Sequence, residues 1–73
     1  MKRYGNVAGD SGVVAYDIGS DSITVRFRDR GTYTYSYKRA GRDNVEHMKN
    51  LAIAGRGLSS FISTVVRDRF DPD

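Results

Sequence analysis

An α+β domain is expected of this chain, with a three-stranded antiparallel β-meander followed by one broken or two short C-terminal helices packed on one sheet face. Three patterns carry that expectation. Ile23, Val25 and Phe27 alternate with Thr24, Arg26 and Arg28, the period-two signature of a strand with one apolar and one polar face. Tyr33, Tyr35 and Tyr37 alternate with Thr34, Ser36 and Lys38 in the same way. Beyond Asp43 the apolar residues recur at helical spacing instead.

Residues 1–10 hold Gly5 and Gly9 among polar neighbours and read as a flexible arm, with room for an edge contribution from Tyr4 to Val7. Lys2 and Arg3 in that arm could assist an anion site. Residues 11–73 read as a single domain, with no internal repeat and no linker. Its first strand spans Ser11 to Ile18 and turns at Gly19-Ser20-Asp21. An even loop sets Tyr16 opposite Ile23 and Val14 opposite Val25; an odd loop would turn Val13 and Ala15 inward. The even loop gives the larger apolar face.

The turn at Asp29-Arg30-Gly31 decides where the tyrosines go. A three-residue loop with Gly31 in the left-handed region pairs Phe27 with Tyr33, Val25 with Tyr35 and Ile23 with Tyr37, so the tyrosines join the core face. A two-residue Arg30-Gly31 loop would force positive φ on Arg30, at a cost of about 1 kcal/mol or more. It would also slip the register by one and set the tyrosines beside Arg26 and Arg28 as a basic aromatic platform. Turn chemistry favours the buried arrangement, with tyrosines near the rim still within reach of a ligand. The outer face then carries Thr24, Arg26 and Arg28 beside Thr34, Ser36 and Lys38.

Asp43 has the look of a helix N-cap, with Glu46 at the capping-box position, and Val45, Met48 and Leu51 or Ala52 form the inward stripe. Gly55-Arg56-Gly57 breaks the helix. Ser59 or Ser60 can cap a second one, in which Phe61, Ile62, Val65, Val66 and Phe70 share a face until Pro72 ends it.

Seventy-three residues support one thin core, so self-association into a homo-oligomer is a ready source of further stability. The chain has no cysteine and one histidine, which leaves no basis for a disulfide framework or a typical zinc site. No apolar run is long enough for a signal peptide or a membrane span, and a cytoplasmic location without membrane contact is expected. The net charge is +3, but it is unevenly spread: Ser22 to Arg42 holds six basic residues (Arg26, Arg28, Arg30, Lys38, Arg39, Arg42) against Asp29 alone, a local net of +5. Such a segment favours a polyanionic or anionic partner, although arginines on an outer sheet face can also serve solubility alone.

The strand pattern resembles that of the KTSC domain, a family found at the C-terminus of some lysyl-tRNA synthetases and as small free-standing proteins. Val14-Ala15-Tyr16-Asp17, Ile23-Thr24-Val25-Arg26-Phe27 and Tyr33-Thr34-Tyr35 are similar to the family's N-terminal pattern. Val66-Arg67-Asp68-Arg69-Phe70 and Gly55-Arg56-Gly57-Leu58-Ser59 are similar to its C-terminal ones, and the likeness covers Ser11 to Phe70. Gly31 is displaced by one from the family's glycine, Lys38 to Asp43 replaces its Val-Pro, and Ser63 stands for its asparagine. RNA binding is what the resemblance suggests, with no catalytic activity attached.

No catalytic set stands out. Ser59 and Ser60 lack a base other than His47, and Asp17, Asp21 and Asp29 are explained by turns. Gly55-Arg56-Gly57 is not a phosphate loop, because no Lys-Ser/Thr follows it, though its amides with Ser59, Ser60 and Arg56 could hold a phosphate. Arg67 follows Val66 on a helix that leans on the sheet, which suggests either an ion pair with Asp17 or Asp68 or an anion clamp. The expectation is a non-enzymatic, cofactor-free binding module for nucleic acid, above all RNA. Arg26, Arg28, Arg30, Lys38, Arg39 and Arg42 would meet phosphates, and Tyr33, Tyr35 or Tyr37 would contribute at the rim. Two alternatives stand beside it: an oligomer enclosing an anionic nucleotide between the tyrosines, Arg56 and Arg67, and a protein-assembly module using an exposed sheet edge.

Overall fold

The computed structural model describes residues 1–6 and 12–72. The expected arm beyond Asn6 and the expected strand start at Ser11 lie outside these residues. Alternating side chains build three strands, β2 (Val13–Ile18), β3 (Ser22–Phe27) and β4 (Gly31–Ser36), and a two-residue strand β1 (Lys2–Arg3) precedes them. The sheet is therefore four-stranded rather than three-stranded, antiparallel throughout, in the order β1-β2-β3-β4. Four helical pieces follow: α1 (Tyr37–Ala40), α2 (Arg42–Ala54), α3 (Leu58–Phe61) and a π-helical turn, Ile62–Val66. Val45, Met48 and Ala52 of α2, with Leu58, Ile62 and Val66 beyond it, cover the sheet face that carries Val13, Tyr16, Ile23, Val25, Phe27 and Tyr35.

The N-terminal residues are fastened, which corrects the flexible-arm expectation for residues 1–4. Arg3 pairs with Ala15, the Tyr4 amide donates to the Val14 carbonyl at 3.0 Å, and the Tyr4 ring is 3% exposed. Its hydroxyl accepts a hydrogen bond from the Leu58 amide at 3.3 Å. That contact satisfies a free N–H at the start of α3, where Gly57 rather than Ser59 or Ser60 occupies the cap position and offers no side chain.

Both hairpin registers keep the expected faces while moving along the strands. Ile18, not Tyr16, lies opposite Ile23, and Tyr16 lies opposite Val25. A bulge between Val13 and Ala15 then reverses the alternation, so Val13 is buried and Val14 is not. In the second hairpin the turn is Arg28-Asp29-Arg30, and Gly31, at φ +91°, opens β4 opposite Phe27. Tyr33 faces Val25 and Tyr35 faces Ile23, each two residues from the expected pairing, and Tyr37 leaves the strand to begin α1. A slip of two preserves which side chains of β3 and β4 face inward, so Ile23, Val25, Phe27 and Tyr35 enter the core as expected. Val13, however, takes the place of Val14, and Tyr33 and Tyr37 are only partly buried against the core.

The helices start and stop differently from their sequence cues. Ser36 caps α1 by accepting from the Arg39 amide at 3.3 Å, and Gly41, at φ +96°, separates α1 from α2. Asp43 therefore lies inside the first turn of α2, where its charge complements the helix dipole, and is not the cap. Gly55 ends α2 in the left-handed conformation, its amide bonded to Leu51 and Ala52. The final helix stops at Val66, short of Phe70. Ser63 and Thr64 hydroxyls bond back to the Ser59 and Ser60 carbonyls, which weakens a regular α ladder, and the Arg67 amide bonds to Ile62 five residues back. Arg67 then takes φ +44°, and the chain turns to run beside β4.

Tyr4 tests whether the first strand is integral to the fold. Tyr4→Ala is expected to lower unfolding free energy by about 3–5 kcal/mol, the usual loss for a buried aromatic ring. Tyr4→Phe is expected to cost about 1 kcal/mol for the hydrogen bond alone. Urea denaturation followed by circular dichroism checks both, and an unchanged midpoint for Tyr4→Ala would contradict the packing described.

Candidate functional site

Residues directly opposite one another in an antiparallel sheet share a face. Arg3, Ala15, Arg26 and Thr32 are such a row across all four strands, on the side away from the helices. Arg3 and Arg26 are two strands apart, about 10 Å at ordinary strand spacing, with the small Ala15 between them. Both are exposed. Beside this row the Thr24 and Thr34 hydroxyls bond each other at 2.9 Å. The surface offers fixed cations and hydroxyl groups, with no aromatic ring among these row residues.

The basic window is divided among three places. Arg26 alone lies in the sheet ladder; Arg28 and Arg30 are exposed in the β3–β4 turn, and Lys38, Arg39 and Arg42 are exposed at the other end of β4. The expected outer row of Arg26, Arg28 and Lys38 is thereby corrected, because the turn begins at Arg28 and the chain is helical from Tyr37. The Arg30 guanidinium lies 4.3 Å from the centre of the Phe27 ring, a cation–π contact that fixes its direction. Arg42 is 5.9 Å from the ring of Tyr37.

The three tyrosines are each committed elsewhere. Tyr35 is 1% exposed, so it is a core residue and not a rim contact; burial pushes its hydroxyl pKa up, with Arg30 opposing. Tyr33 packs on Phe70 at 4.6 Å between ring centres. Tyr37 donates to Glu46 at 2.5 Å, and Lys49 meets the same carboxylate at 2.9 Å while donating to the Ser20 carbonyl at 3.3 Å. The Tyr37 hydrogen bond, then Lys49, hold the Glu46 carboxyl below its ordinary pKa; the bond to Glu46 raises the pKa of both Tyr37 and Lys49. This cluster joins α1 and α2 to the β2–β3 loop.

Arg56 and Arg67 are not brought together. Arg56 is exposed in the α2–α3 turn, whereas Arg67 lines an open groove of about 530 Å³ with Arg30, Ser63, Asp68 and Phe70. Arg67 is exposed, and among the described residues the one ion pair is Glu46–Lys49, which corrects the expected pairing of Arg67 with Asp17 or Asp68. A second groove, of about 340 Å³, runs from Arg30 past Thr32 and Thr34 to Asp71, and a third, of about 310 Å³, is bounded by Ser36, Lys38, Arg39, Asp71 and Pro72. His47 is exposed and its ring rests 4.8 Å from that of Phe61. Among the described residues no three His, Cys, Asp or Glu side chains are grouped as a metal site, and no helix is long and apolar enough to cross a membrane.

Arg3 is the site residue that sequence reasoning left in the arm, and a strand of two residues shows no alternation by which to find it. Asp71 carries no sequence cue to a role, and sequence reasoning does not single it out. No protein-family model, curated protein or solved structure matches the chain.

The Tyr37–Glu46–Lys49 cluster predicts a specific pH response. With its folded pKa depressed, Glu46 contributes stability above the unfolded carboxylate value of about 4.3, and this is lost as pH falls through the lower folded value. Tyr37 and Lys49, whose folded values are raised, contribute below their unfolded values of about 10 and lose that contribution as pH rises through the folded ones. Glu46→Gln should lower the urea midpoint at pH 7, with the gap from the native chain narrowing at pH 3. A gap that is constant over this range would show that the carboxylate charge contributes nothing.

Proposed function

We propose that this chain is a non-enzymatic RNA-binding module that uses the outer sheet face, with Arg3 and Arg26 across the strands and Arg28 at the adjoining turn. The observation that carries the reading is the Arg3–Ala15–Arg26–Thr32 row on the side the helices leave uncovered. Guanidinium groups on a rigid sheet suit phosphate oxygens, which they can engage bidentately. The tyrosines turned to the core face offer no stacking platform beside these arginines, so the binding is electrostatic and weakly dependent on sequence. The resemblance to the KTSC family, for which RNA binding is suggested, points the same way.

A second reading, an anionic small molecule, is supported by the groove that Arg30 and Arg67 line. Denaturing the purified protein separates the two: released polynucleotide favours the first, a released nucleotide the second.

For three phosphate contacts to single-stranded RNA, affinity should fall about tenfold to twentyfold between 50 and 200 mM salt. Arg26→Ala/Arg28→Ala should weaken binding and reduce the slope of log K against log salt by about 1.4. Fluorescence anisotropy with labelled RNA measures both quantities. Affinity indifferent to salt, or to the double substitution, would remove the outer face from the function.

A further inference from the structure

The segment after Arg67 closes the free side of β4. Its Asp71 amide donates to the Thr34 carbonyl at 2.7 Å, and the Asp71 carboxylate accepts from the Ser36 hydroxyl at 2.6 Å. Phe70, one residue earlier, packs against Tyr33 and Tyr35. Asp71 is thus an anion held at the junction of two grooves, one ending at Arg30 and the other lined by Lys38 and Arg39.

The charge there is unbalanced. Lys38 and Arg39 are exposed, and neither forms an ion pair with Asp71, since the one pair among the described residues is Glu46–Lys49. Among the described residues, one carboxylate bound through a serine hydroxyl leaves two cations beside it without an ion pair. A phosphate group sets its acceptor oxygens tetrahedrally, and as inorganic phosphate it also carries more charge than a carboxylate, so it could take the serine hydroxyl and both cations together.

We infer that Ser36, Lys38 and Arg39 form a phosphate subsite in which the chain's own Asp71 carboxylate stands in for the ligand and competes with it. Under the RNA-binding reading, on which the RNA arm of the test rests, this subsite takes a backbone phosphate, and Asp71 holds affinity down. Phe70 keeps the segment attached while the carboxylate exchanges. The site is separate from the Arg3–Arg26 row, at the opposite end of β4 from the Arg28 turn.

Asp71→Asn keeps a hydrogen-bond acceptor for Ser36 and removes the charge. Amide spectra of the isotope-labelled native chain and of Asp71→Asn, titrated with inorganic phosphate, read the subsite without RNA. The expected result is at least threefold tighter phosphate binding in Asp71→Asn, with the largest shifts at Ser36, Lys38 and Arg39, and loss of that gain on adding Lys38→Ala/Arg39→Ala. Equal phosphate affinity in both proteins, or shifts confined to other residues, overturns the inference. In parallel, Asp71→Asn should bind labelled RNA at least threefold more tightly at 50 mM salt. RNA binding absent from both proteins, with the phosphate shifts intact, would defeat the RNA reading and leave the subsite standing. The unperturbed remainder of the amide spectrum confirms that each variant is folded.

Discussion

The inner face of the sheet carries Tyr16, Ile23, Val25, Phe27 and Tyr35, and a chain of this length has a single helical layer with which to cover it. That constraint orders the rest. The helices must lie across one face, so the opposite face is left to solvent and must be polar. Val45, Met48 and Ala52 need a helix long enough to reach across β3 and β4, and α2 is the only helical element of that length among those described. The shorter pieces after Gly55 fill what α2 leaves open, and Tyr4 seals the junction from the N-terminal side.

Sequence pattern determines which side chains share a face far better than it determines pairing. Ile23, Val25 and Phe27 could be assigned to the core because their alternation admits one inward set. The pairing partners could not, since sliding a strand by two residues leaves every face unchanged. Val13-Val14-Ala15 is apolar without alternation, so nothing in it marks the bulge. Asp43 and Glu46 have capping-box spacing, yet Ser36 and Gly41 start the helices earlier and Glu46 turns to Tyr37 instead. Phe70 fits the helical spacing set by Ile62 and Val66, but reaches the core from a chain that has already left the helix.

The candidate site was legible as composition and illegible as geometry. Six cations between Ser22 and Arg42 stand out in the sequence, but a strand, a turn and two helix starts spread them along β4. The surface row was completed by Arg3, which comes from far along the chain and has no local signal. Turn chemistry places the tyrosines on the core face, and Tyr35 lies there, but their shared spacing does not reveal that Tyr33 is taken up by Phe70 and Tyr37 by Glu46.

β4 shows how one short segment can serve stability and exchange at once. A bare strand edge invites pairing with another chain, and the Asp71 amide blunts that edge at Thr34. The aromatic contacts of Phe70 are apolar and non-exchangeable with an anion, whereas the Ser36–Asp71 hydrogen bond is one charge-assisted contact of about 1.5–3 kcal/mol. Replacing that single contact by a phosphate contact of similar strength costs little, because the hydroxyl exchanges one anionic acceptor for another. Lifting Phe70 as well would add the loss of apolar burial, of order 1.5–3 kcal/mol or more for such a side chain. The carboxylate can therefore move while the ring holds, and the edge of β4 keeps most of its cover as the anion changes.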